Sequence, residues 1–193
     1  MLVIIRRREL QLHLLMPQTK MKNIVLKTSD VYDLAGVVAS IVKDQSAKLE
    51  FKEILKLQKM ANYFLDTIKT FSEEFSRISK EQSVFVENAN VKISAYKQKL
   101  HKESDKNGEF DDKYKEKLDA YVDDMLAQVR TDITKEVNPE FEKLYSTEGS
   151  KEVSLELSEE NHKLLVINFE LFAKEKYTNK NKMIEVYETL TAA

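Results

Sequence analysis

The residues ILKLQKMANYFLDTIKTFSEEFSRISKEQSVFVENANVKISAYKQKL, positions 54–100, decide how the chain is built. Stepping alternately three and four residues from Ile54 gives Leu57, Ala61, Phe64, Ile68, Phe71, Phe75, Ile78, Gln82 and Phe85. All but Gln82 are apolar. The stripe continues through Ala89, Ile93, Tyr96 and Leu100, with a pair of four-residue steps around Ala89. A repeat of about 3.5 residues places these side chains on one side of a helix, and the stutter at Ala89 relaxes the supercoil there. No Gly or Pro lies between Gly36 and Gly108. The spacing therefore predicts one continuous helix, beginning near Ala47 and spanning roughly 70 Å from Ile54 to Leu100 at about 1.5 Å per residue.

Working outward from this helix, Asn107-Gly108 is a turn signal, since both residues tolerate positive φ. Beyond it, Tyr114, Leu118, Val122, Met125, Val129 and Ile133 form one apolar side of a second helix. A short turn folds two helices antiparallel, so this helix covers Gln82 to Leu100. Asn138-Pro139 is expected to stop it, because proline disfavours the helical region at the preceding residue. Glu148-Gly149-Ser150 reads as a loop.

Upstream, residues 22–27 alternate polar and apolar and read as a short strand. Thr28 or Ser29 caps a helix whose apolar face is Leu34, Val37, Val38 and Ile41. Downstream, Glu152 to Leu157 alternates in the same way, and the two strands are each other's natural partners. Ser158 caps a helix with Glu159 and Glu160 in its first turn. Leu164 to Phe172 makes that helix apolar nearly all round, so it is expected to be buried against Ile54 to Ile78. A last helix runs from about Lys180 to Leu190.

The fold class expected is mainly α: a long antiparallel helical hairpin on a small helical base with a minor two-stranded β element. The base takes residues 21–78 and 138–193, and the coiled-coil arm residues 79–137. Residues 1–20 differ from the rest. Three of the chain's five arginines are Arg6, Arg7 and Arg8, and apolar residues flank them on both sides. That order is wrong for a signal peptide. The segment reads as sequence upstream of a start at Met21, or else as an amphipathic leader that meets a membrane surface or a partner.

Composition narrows the function. The 193 residues carry 31 basic and 33 acidic groups, a net charge of −2, so neither nucleic acid nor a membrane is an expected partner. The absence of cysteine removes disulfides, thiolate nucleophiles and cysteine metal sites. From Asp105, oxygen-bearing residues fall at places 1, 3, 5, 7 and 12 of a calcium-type loop. Place 6, which needs Gly for a sharp turn, is Phe110. The segment reads as a solvated hairpin turn. His13, His101 and His162 form no ligand pair, and the three glycines are isolated, so no phosphate-cradling loop exists. Catalytic residues, metal ligands and cofactors are therefore all expected to be none, and the chain is not expected to be an enzyme.

What remains is interaction. Met60, Leu65 and Val86 are apolar groups off the main stripe, where two protomers could pair their arms as a homodimer. Gln82 is the polar residue that fixes register in such a seam; Phe85 and Tyr96 complete the tentative interaction set.

The order of elements resembles that of small, uncharacterised helical proteins encoded in phages and prophages of low-GC bacteria. The likeness rests on Ile24-Val-Leu-Lys-Thr-Ser-Asp-Val-Tyr-Asp-Leu, on Lys48-Leu-Glu-Phe-Lys-Glu-Ile-Leu-Lys-Leu, on Asn138-Pro-Glu-Phe-Glu-Lys-Leu-Tyr and on Glu152-Val-Ser-Leu-Glu-Leu. It covers residues 22–81 and 138–160 and departs at 82–137, where those proteins turn sooner. The resemblance implies a phage accessory or virion-assembly protein, in the host cytoplasm or the virion, with phage structural proteins as partners. It brings no catalytic residues. The other reading is a small inhibitor or adaptor that binds a host protein.

Overall fold

The computed structural model describes residues 20–45, 48–105, 112–176 and 180–192. The chain is mainly helical, with a two-stranded antiparallel sheet and a long helix in a helical hairpin. In order the elements are β1 (Met21–Lys27), α1 (Thr28–Gln45), α2 (Phe51–Thr67), α3 (Lys69–Asp105) and α4 (Asp112–Asp132). A π-helical turn (Ile133–Val137), α5 (Asn138–Leu144) and a second π-helical turn (Tyr145–Gly149) follow, and then β2 (Glu152–Ser158), α6 (Glu159–Lys176) and α7 (Lys180–Ala192).

The expected single helix is in fact two, broken at Ile68. Thr67 and Ile68 are adjacent β-branched residues, which lose rotamer freedom in a helix. The Thr67 hydroxyl also donates to the Tyr63 carbonyl at 2.8 Å, a back-bond that bends helices. Ile68 is itself buried. The start also lies later than Ala47: the Glu53 carboxylate accepts the Glu50 N–H at 3.0 Å and fixes the first turn of α2.

The chain divides into two compact units. One takes in the chain up to Leu26, Asp30–Thr67 and everything from Glu152; the other is Lys27–Ser29 with Ile68–Lys151. These units divide at 67/68 and 151/152, beside the boundaries at 78/79 and 137/138 read from the sequence. Side-chain packing gives the reason. Phe71 and Phe75 stack at 6.1 Å, Tyr145 meets the Phe71 ring edge-on at 5.5 Å, and Phe141 lies 5.1 Å from Phe75. These rings bind the start of α3 to α5 and the second π-helical turn.

In the first unit, the Glu159 backbone N–H donates to the Lys20 carbonyl at 3.0 Å, and the Ser154 hydroxyl meets the Asn23 amide oxygen across the strands. Ile24, Leu26, Leu155 and Leu157 are buried on one face of the sheet, as the alternation predicts. Helix α6 packs on α2, α7 and β2. Ser158 caps it, accepting the Asn161 N–H at 3.3 Å. One expectation for α6 fails: Ile167 is 58% exposed and Leu171 is also exposed. Among the described residues Leu165, Phe169 and their neighbours on one side reach the core, where His162 Nε2–H donates to the Leu190 carbonyl at 2.6 Å.

In the second unit α3 and α4 lie against one another as a hairpin. Tyr96 stacks on Tyr121 with ring centres 4.1 Å apart. Asn138-Pro139 does not end the helical path. Val137 and Asn138 both keep helical angles, and the Asn138 N–H reaches back five residues to the Ile133 carbonyl. Proline then occupies the first turn of α5, where its fixed φ suits the helix. Glu148-Gly149-Ser150 is likewise no open loop. Gly149 is buried, and a Cβ there would stand 3.1 Å from Phe71 Cε2.

Candidate interaction surface on the helical hairpin

The sequence-predicted interaction residues separate into three groups. Met60 is core: it is 2% exposed on α2, so the expected pairing through it is corrected. A stripe one 3.5-residue seam wide underestimates α2, which packs on both α6 and β2 and so buries a broader face. Leu65, Gln82, Phe85 and Tyr96 are half-buried, and Tyr96 is committed to Tyr121 inside the hairpin. Val86 alone of the six is exposed.

Sequence reasoning missed the apolar residues of α3 that are most open. Val91 is 68% exposed and Val84 is 46% exposed, both on α3. With Asn88 and Ala95, which are also exposed, they follow steps of four, three and four. At about 100° per residue this second stripe lies roughly 130° around the helix from Phe85, Ala89, Ile93, Tyr96 and Leu100. Ala89 and Leu100 are buried, which fixes the first stripe as the hairpin seam and the second as the outer face. The signal was present in the sequence as a heptad spacing between the two valines.

Charge bounds this face. Arg77, two turns before Val84, is held by three carboxylates of the same unit: Glu74 at 2.9 Å, Glu81 and Glu140. Their hydrogen bonds raise the guanidinium's pKa further above its ordinary value, and Arg77 holds Glu74 below the usual carboxylate range. Beside this node an open cleft of about 240 Å³ is lined by Arg77, Glu140, Lys143, Thr147 and their neighbours. Of its charged groups, Arg77 pairs with Glu74 and Glu140, and Glu148 pairs with Lys151.

Among the described residues, no group of three or more His, Cys, Asp or Glu is placed to hold a metal ion. Half of the calcium-like loop, residues 106–111, and the leader, residues 1–19, lie outside the described residues. No described helix is long and apolar enough to cross a membrane. Comparison with protein-family models, curated proteins and solved structures finds no match.

Proposed function

We propose that this chain is a non-enzymatic phage accessory or virion-assembly protein that works through protein–protein contacts of its helical hairpin, in the host cytoplasm or on the particle. The observation that carries the reading is the outer face of α3. Val84 and Val91 sit in water on a regular helix whose opposite side is already occupied by α4. Two exposed β-branched residues at heptad spacing suit a helical partner that would bury them. The resemblance to small phage-encoded helical proteins supplies the biological setting, and phage structural proteins are the partners it favours.

The test is co-purification with assembled particles, comparing the full chain with Val91→Lys. Recovery with particles that drops on the lysine substitution supports the proposal. A single host protein recovered stoichiometrically instead would replace it with the inhibitor or adaptor reading. A robust turnover by the purified protein would overturn the non-enzymatic part.

A further inference from the structure

We infer that the outer face of α3 pairs with the same face of a second copy, parallel and in register, through Val84, Asn88, Val91 and Ala95. The inference rests on the reading of the hairpin as a protein-binding arm and names its first partner.

The steps of four, three and four make Val84 and Val91 d positions and Asn88 and Ala95 a positions of a heptad. A parallel two-fold pairing sets each residue opposite its own copy. The two valines then bury against the two valines of the partner, and Ala95 lets the helices approach. Asn88 meets Asn88, so each side-chain amide donates to the other's carbonyl oxygen. An a-position asparagine of this kind selects register and a two-stranded state. In an antiparallel pairing Asn88 would instead face a valine, and a buried amide would lose its partner.

Charge points the same way. Glu87 precedes Asn88 at a g position, and Lys92 follows Val91 at an e position; both are exposed. In a parallel pair, g of one helix lies beside the next e of the other, so Glu87 and Lys92 form two symmetric ion pairs. Antiparallel pairing sets g beside g and e beside e, on opposite flanks, and these pairs are lost. Arg77, ion-paired with Glu74, Glu81 and Glu140 in a cluster of net negative charge, marks where the apolar stripe ends. The stripe from Val84 to Ala95 is only about 17 Å long at about 1.5 Å per residue. An interface this short falls below about 1,200 Å², which places it with weak, concentration-dependent contacts.

The chain lacks cysteine, so introduced thiols report without background. Single variants Asn88→Cys, Val91→Cys and Val86→Cys of the full chain are oxidised with copper–phenanthroline, which takes two electrons as two thiols join with loss of two protons. In-register pairing links Asn88→Cys and Val91→Cys rapidly and Val86→Cys, on a different face, slowly. Sedimentation equilibrium of the cysteine-free chain at about 100 μM, a concentration suited to a weak interface, should show a mass rising toward twice 22.5 kDa. Val91→Lys should return it to one chain. Equal linking at all three positions overturns the inference, and so does a clean monomer. Linking only in mixtures of Val84→Cys with Ala95→Cys overturns the parallel register. A monomer whose particle or host-protein capture still falls with Val91→Lys overturns self-pairing alone. Capture unaffected by Val91→Lys overturns the reading of the arm beneath it.

Discussion

Phe71 and Gly149 form a packing pair whose energetics can be worked out from distances. The Phe71 ring is 1% exposed, stacked on Phe75 and met edge-on by Tyr145. Truncation to alanine removes a whole buried ring and leaves a cavity, which costs about 3–5 kcal/mol. Losing two aromatic neighbours, each worth about 0.5–1.5 kcal/mol beyond area, puts the expected value in the upper half of that range. Gly149→Ala acts on the same spot from the other side. Its methyl would stand 3.1 Å from Phe71 Cε2 and 3.3 Å from Tyr145 Cδ1. The Phe71 ring is buried and cannot easily give, whereas the Tyr145 ring is partly open to solvent, so the overpacking against Phe71 costs about 1–3 kcal/mol. A smaller gain, about 0.4–1 kcal/mol, comes from restricting the unfolded chain.

The two substitutions should therefore not add. Once Phe71 is alanine the methyl at 149 has room, its cost vanishes, and it fills part of the cavity. The expected coupling is about 1–3 kcal/mol in favour of the double variant. Urea unfolding of wild type, both single variants and the double variant, followed by far-UV and tyrosine near-UV signals, measures it. Lys97→Ala, on an exposed stretch of α3, should stay within about 0.5 kcal/mol and serves as the control. Additivity within about 0.5 kcal/mol would show that the Phe71–Gly149 contact does not set the packing, and the argument would fail.

Other substitutions probe single links. Tyr63→Phe removes the hydroxyl that accepts the Glu156 backbone N–H at 3.1 Å, and should cost about 0.5–1.5 kcal/mol while hastening amide exchange at Glu156. Tyr121→Ala breaks the stack on Tyr96 and should destabilise the hairpin by about 0.5–1.5 kcal/mol beyond the area lost, measured as a fall in urea midpoint. Acid titration should show a small loss of stability carried by Glu74 and Glu160. Hydrogen bonds from Arg77 and Lys56 hold these carboxyls below the ordinary 4.5. Because the folded value is the lower one, the contribution is present above 4.5 and lost as pH falls through the depressed values. Both groups are exposed, so the loss should shrink in high salt, and Glu160→Gln should flatten the thermal-midpoint profile below 4.5.

The hairpin, the paired strands and the Ser158 cap were legible because each depends on a local signal that folding does not reverse. The spacing of Phe85 to Leu100, the alternation at Ile24-Leu26 and Leu155-Leu157, and a hydroxyl before two glutamates are signals of this kind. What escaped was set by contacts that local pattern does not encode. A heptad stripe runs through Ile68 unbroken, so the stripe alone cannot report that α2 ends at Thr67 and α3 starts at Lys69. Asn138-Pro139 carries a strong stop signal, yet a five-residue backbone bond supplies the one geometry in which the helical path survives it. Gly149 looked like a turn residue and is instead the small residue that the Phe71 ring requires.

The errors at the surface share one cause. What a helix buries is set by the neighbours packed on it, which neither a 3.5-residue seam nor composition reports. On α2, which is packed on two sides, the buried face is wider, and Met60 belongs to it. On α6 it is narrower than the composition of Leu164 to Leu171 suggests, and Ile167 lies in water. On α3 the seam is correct but is not all there is. Once α4 takes the side carrying Ala89 and Leu100, the question for function becomes which apolar residues remain on the other side, and these are Val84 and Val91. A residue's value for binding thus depends on which partner its own chain has already supplied. For that reason the interaction surface proposed on α3 could be read only after the hairpin had been built.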